Sequence, residues 1–225
     1  METTADELLK KAEGHFEKGE FKDVVSLLSD SQLSSFNNPD LFFVRARAQK
    51  ELNEREKAIA DYDAVIKLKD SFPAAHNNRA NIFSVLGNYD EAIKGYNKAI
   101  DFKKDYAEAY YNRAYAWGHK NEHDKAIEDY NIAIKFRNNY PAAYNNRALS
   151  WNSKANHKNA LADFKTAIEL QPNYPNAFRN RGFVLYDLGD FQMAIADFLK
   201  AKELDPEKFG FLEYDIKLAK EKIEQ

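Results

Sequence analysis

The chain has 225 residues, with 33 Lys and Arg against 36 Asp and Glu, a formal net charge of −3. That balance excludes a polyanion footprint, because nucleic-acid binders usually carry a basic excess, and nucleic acid is not an expected partner. The absence of cysteine excludes disulfides, thiolate metal sites and cysteine nucleophiles. Only 8 glycines and 6 prolines accompany 31% charged and 44% apolar residues, which points to helices rather than barrels or sandwiches. The longest apolar runs are four residues, as in Leu41 to Val44, too short to span a bilayer. The start, Met1 to Glu7, has neither a basic nor an apolar leader region. A soluble, cytoplasmic protein without membrane contact is expected.

An internal period organises the chain. Ala-Ile or Ala-Leu pairs begin at Ala58, Ala92, Ala126, Ala160 and Ala194, each 34 residues after the last. Tyr62, Tyr96, Tyr130, Phe164 and Phe198 keep the same step, as do Ala46, Ala80, Ala114, Ala148 and Gly182. One period earlier stand Ala12, Val24 and Leu28, a more degenerate first unit. The units in chain order are 5–38, 39–72, 73–106, 107–140, 141–174 and 175–208. Prolines fall only at unit borders (Pro39, Pro73, Pro141 and Pro175 opening, Pro172 and Pro206 closing), where a helix begins or ends. Mid-unit breaks lie at Gly19, Asn53, Gly87, Asn121, Ala155 and Gly189, mostly residue types that suit a left-handed helix end. Each unit therefore predicts two helices of roughly 12–14 residues, each about 20 Å long. Residues 209–225 predict one capping helix, with Phe211, Leu212, Ile216, Ala219 and Ile223 turned inward. Such a half-unit covers the last apolar face of a repeat array.

The 34-residue helix–turn–helix with this order of small and aromatic positions resembles the tetratricopeptide repeat. Counting Pro73 as repeat position 1, the pattern falls on His76, Arg79, Ala80, Phe83, Ala92, Tyr96, Ala99 and Lys104; His76 and Arg79 depart from it. The resemblance implies one all-α domain over 1–225, a right-handed α-solenoid or superhelix. It also implies a concave groove lined by the first helix of each unit.

Carried over with the resemblance, repeat position 6 places Asn78, Asn112, Asn146 and Asn180 in that groove, with Asn77 and Asn145 beside them. An amide offers a donor and an acceptor on one short arm, so the column is expected to pair with the main chain of an extended peptide. Tyr111, Tyr115, Phe183 and Tyr186, with Asn81 and Asn152, complete the expected peptide-binding set. A chaperone-tail clamp is the weaker reading: its register offers Asn77, Asn81, Asn112, Ala142 and Asn146, without the cations that hold a carboxylate.

Arginine fills repeat position 7 at Arg45, Arg79, Arg113, Arg147 and Arg181, while Asp61, Asp129, Asp163 and Asp197 fill position 23. The matched columns predict ion pairs between adjacent helices, broken in the third unit by Gly95. His119-Lys120-Asn121-Glu122-His123 matches the pattern of an inverted zinc peptidase. In the repeat register it spans a turn, so no zinc site, no cofactor and no catalytic residue is expected. The expected function is a non-enzymatic adaptor for a protein or peptide partner. The rival is a self-assembling scaffold, a homo-oligomer whose groove takes a neighbouring copy.

Overall fold

The computed structural model describes residues 4–224; Met1 to Thr3, part of the leader reading, and Gln225, in the expected capping helix, lie outside the described residues. Every regular element among the described residues is a helix, and no helix is long and apolar enough to cross a membrane. The chain divides into two compact units, Met1–Ala109 and Tyr110–Gln225.

The first unit holds α1 (Ala5–Glu17), α2 (Phe21–Leu27), α3 (Asp30–Phe36), α4 (Pro39–Glu51), α5 (Arg55–Leu68), α6 (Pro73–Val85) and α7 (Tyr89–Phe102). Helix α8 (Ala107–His119) runs from the first unit into the second. The second unit continues with α9 (His123–Phe136), α10 (Pro141–Ser153), α11 (His157–Leu170), α12 (Pro175–Asp187) and α13 (Phe191–Leu204). It closes with α14 (Pro206–Phe209) and α15 (Leu212–Ile223).

Proline occupies the first turn of α4, α6, α10 and α12, where its missing N–H has no partner to lose. Each mid-unit turn contains one left-handed residue: Gly19, Asn53, Gly87, Asn121, Ala155 and Gly189, with φ from 56° to 83°. Ala155 is the strained one, since its Cβ opposes that region.

Small residues let the two helices of a repeat approach, and one aromatic fills the remaining space. In the first unit Ala46, Ala58, Tyr62 and Val65 pack with Ala75 and Ile82. In the second, Ala148, Ala160 and Phe164 pack with Val184. Two glycines mark closer approaches. A Cβ on Gly95 would lie 2.8 Å from the Ala80 Cβ, and one on Gly182 would lie 2.6 Å from the Phe198 ring.

Two ends depart from the two-helix rule. The second half of the first repeat is split into α2 and α3 by Ser29, whose side chain accepts from the Gln32 N–H while Gln32 accepts from the Ser29 N–H. That reciprocal cap starts a new helix inside what the period predicts as one. At the other end, Asp205 caps the four-residue α14 before α15 begins. The intervening bend reverses part of the expected inward set: Phe209, Leu212, Ile216 and Ala219 are buried, whereas Phe211 and Ile223 are 58% and 46% exposed.

Candidate functional site

The arginine column is structural framing for the face. Arg113, Arg147 and Arg181 each reach the aspartate sixteen residues on through Nε and a terminal nitrogen, at 2.6–2.7 Å. Arg45 does the same with Asp61 and adds Asp30 and the Leu28 carbonyl. Two-point pairing of planar guanidinium and carboxylate fixes orientation as well as charge. Burial pushes the Asp129 carboxyl above its ordinary range, with Arg113 opposing. For Arg45, burial works to lower the pKa, but the bonds to Asp61 and Asp30 outweigh it and leave it raised. Arg79, facing Gly95 where its aspartate would stand, turns to the half-exposed Asp63 at 2.7 Å.

On the first helices, the paired asparagines divide into an inner and an outer member. Asn77 and Asn145 are buried, at 0% and 3% exposure; Asn78, Asn112 and Asn146 are half-buried. Inner amide donates to outer amide: Asn77 Nδ2 to Asn78 Oδ1 at 3.3 Å, Asn145 Nδ2 to Asn146 Oδ1 at 2.9 Å. Links also run between repeats. Asn77 donates to Glu108 at 3.3 Å. In the second unit Asn180 donates to Asn145 at 3.0 Å, and Asn146 donates to the Tyr111 hydroxyl at 3.0 Å. A continuous relay thus joins α12, α10 and α8, with position 5 of one repeat meeting position 6 of the next. Buried amides of this kind must be paired to offset their desolvation.

The remaining predicted residues separate by environment. Tyr111 packs between the Tyr130 and Tyr140 rings at 5.8 and 4.8 Å, and burial pushes its hydroxyl well above the usual phenol range. Phe183 meets Phe198 at 4.9 Å, and Tyr186 meets Phe191 at 5.2 Å. Asn81 accepts from the Tyr96 hydroxyl at 2.8 Å, and Asn152 from His157 Nδ1 at 2.8 Å. Tyr115 and its neighbour Leu149, at 42% and 40% exposure, present apolar surface to solvent. The sequence order alone could not separate inner from outer asparagine, because adjacent helical residues differ in direction by 100° and both match the period.

Of the zinc-like motif, His119 ends α8 and His123 begins α9, with Glu122 at the N-cap position of the latter but making no side-chain cap; the two imidazoles sit on different helices. Elsewhere among the described residues, His15, Glu20 and Asp23 bring potential ligand atoms within 4.8 Å of one another, with His15 Nδ1 already 2.6 Å from Glu20.

Models of the TPR repeat match residues 81–117 and 153–189, and models of the tetratricopeptide repeat match 39–72, 107–140 and 175–208. The chain belongs to the tetratricopeptide repeat family. Among solved structures, the crystal structure of MamA is 23% identical, covers 72% of this chain and 95% of its own, and superposes with a TM-score of 0.66. YrrB, described as a TPR protein with an unusual peptide-binding site, is 21% identical over 76% of this chain and 88% of its own, TM-score 0.63. PilF of Pseudomonas aeruginosa is 14% identical over 94% and 96%, with a TM-score of 0.80. No curated protein matches the chain.

Proposed function

We propose that the chain is a non-enzymatic adaptor that holds an extended peptide along the first helices of its repeats, with the outer asparagines meeting the peptide main chain. The observation that carries this is the fixed orientation of Asn78 and Asn146. In each, Oδ1 accepts from the inner asparagine, which leaves Nδ2 as the group that donates to a partner's carbonyl. Asn146 Nδ2 donates to Tyr111, and the Tyr130 and Tyr62 hydroxyls lie against Asn146 and Asn78, so a partner's carbonyl takes the place of, or shares with, a tyrosine hydroxyl. Amides held by their neighbours lose little freedom on binding. Asn77 and Asn145 serve as supports rather than contacts, and Asn180, 8% exposed, belongs with them. A near-neutral balance of charge suits such contacts better than a phosphate backbone.

The test begins with peptides selected from a random library on the full chain. Calorimetry then compares the parent with Asn112→Ala/Asn146→Ala at low and high salt. Two amide contacts of about 0.5–1.5 kcal/mol each correspond to a loss of roughly five- to a hundredfold. The loss is expected to be the same at both salts, because no net charge is removed. Tyr111→Phe removes the internal bond alone and should keep most of the affinity. Unchanged affinity in a folded double variant rejects the amide reading.

A second reading, self-assembly with a neighbouring copy, draws on the apolar surface near the C-terminal helices. Leu199, Phe211 and Tyr214 are 51%, 58% and 67% exposed. Light scattering that reports a monomer at high concentration removes it.

A further inference from the structure

Repeat positions 12 and 17 flank each mid-unit turn, and in the first, fifth and sixth repeats their side chains meet. Phe16 and Phe21 stack edge to face at 5.2 Å, and Tyr186 and Phe191 do the same at 5.2 Å. Asn152 accepts a hydrogen bond from His157 Nδ1 at 2.8 Å. In the fourth repeat the pair is Gly118 and His123. A Cβ built on Gly118 meets nothing within 4 Å, and His123 Nδ1 is buried without a hydrogen-bond partner. The side chain that the first, fifth and sixth repeats supply is missing here, and the His123 nitrogen is left without a hydrogen-bond partner.

A cavity of about 190 Å³ opens there, walled by Tyr115, Gly118, His119, His123, Tyr130 and Leu149, with Asn146, Ser150 and Ser153 adding polar groups. A cavity of about 150 Å³ takes one benzene ring, so the volume suits a single aromatic side chain. Aromatic rings and small polar side chains share the walls, with the Tyr115 and His119 ring centroids 4.4 Å apart. An unpaired buried nitrogen discriminates against a purely apolar guest, because that guest leaves the desolvation cost in place.

We infer that this cavity is a specificity pocket for a tyrosine side chain of the partner, the phenol ring replacing the missing position-12 residue and its hydroxyl bonding His123 Nδ1. The inference rests on the peptide reading above for its biological setting, but the pocket is tested without any peptide. The probes are p-cresol and toluene, titrated into the full-length chain and followed by the backbone amide shifts of Gly118, His123 and Ser150. Saturable shifts are expected with p-cresol, and about fivefold weaker binding with toluene, the size of one modest hydrogen bond. Gly118→Leu fills the cavity from its own helix and should abolish both. His123→Phe adopts the residue that repeats one and six carry and should level the two probes. No saturation with p-cresol, equal binding of the two probes to the parent, or a p-cresol preference surviving in His123→Phe overturns the pocket. Asn146 of the column also lines the cavity, but the peptide reading is judged by calorimetry on selected peptides, so a failure with these probes leaves it standing.

Discussion

In the unit Tyr110–Gln225, the arginines of repeat position 7 (Arg113, Arg147 and Arg181) each clasp a buried aspartate of the following helix. In the unit Met1–Ala109, Arg45 does so, while Arg79 reaches an aspartate that is 52% exposed. The difference traces to one residue. At Gly95 the helices α6 and α7 come so close that a Cβ would overlap Ala80, so the third repeat substitutes close backbone packing for the ion pair. The same sequence period thus supports two ways of joining paired helices. A buried charge pair orients but must be kept whole; a glycine contact needs no partner but admits no side chain.

Four substitutions test that contrast. Phe209→Ala sets the scale, because the ring is fully buried in the last core cluster with Phe198 and Leu212. Loss of about 4 kcal/mol is expected by denaturant unfolding. Arg147→Ala leaves Asp163, whose side chain is 10% exposed, without its cation, and should cost about 3 kcal/mol. A melting temperature unchanged within error would remove the clasp from the account. Gly95→Asp restores the column found in the other repeats, yet it should destabilise by about 2 kcal/mol because the contact with Ala80 overpacks. A gain in stability would show that the pattern, not the close approach, governs the third repeat. Arg79→Ala should cost under about 1 kcal/mol, as exposed pairs do. A cost equal to that of Arg147→Ala would erase the difference between the two units.

The period carried most of the fold because prolines and left-handed turn residues recur with it, so α4 to α13 begin and end where 34-residue arithmetic puts them. The ends were less legible, since they have a neighbour on one side only. At Ser29 a local cap, visible as Ser followed by Gln three residues on, overrode the helix that the repeat predicts. At α14 the bend moved Phe209 into the core and Phe211 out of it. The asparagine columns were visible as residue types, but which amide points outward depends on a hydrogen bond between adjacent side chains. The hollow beside His123 was legible only as an absence: a glycine where the first, fifth and sixth repeats carry Phe16, Asn152 and Tyr186.

The relay from Asn180 through Asn145 and Asn146 to Tyr111 also bears on how the second unit comes apart. Nearest-neighbour terms set the cooperativity of a repeat array, and here those terms include buried polar bonds that are lost together when either helix leaves. Fraying of α12 would strand the Asn145 oxygen in an apolar setting, which raises the energy of the partly opened chain. Amide protons of α10 and α12 are therefore expected to exchange through one shared opening rather than helix by helix. A partner engaging Asn146, as proposed above, would act on that shared event and is expected to slow exchange one repeat away from where it binds.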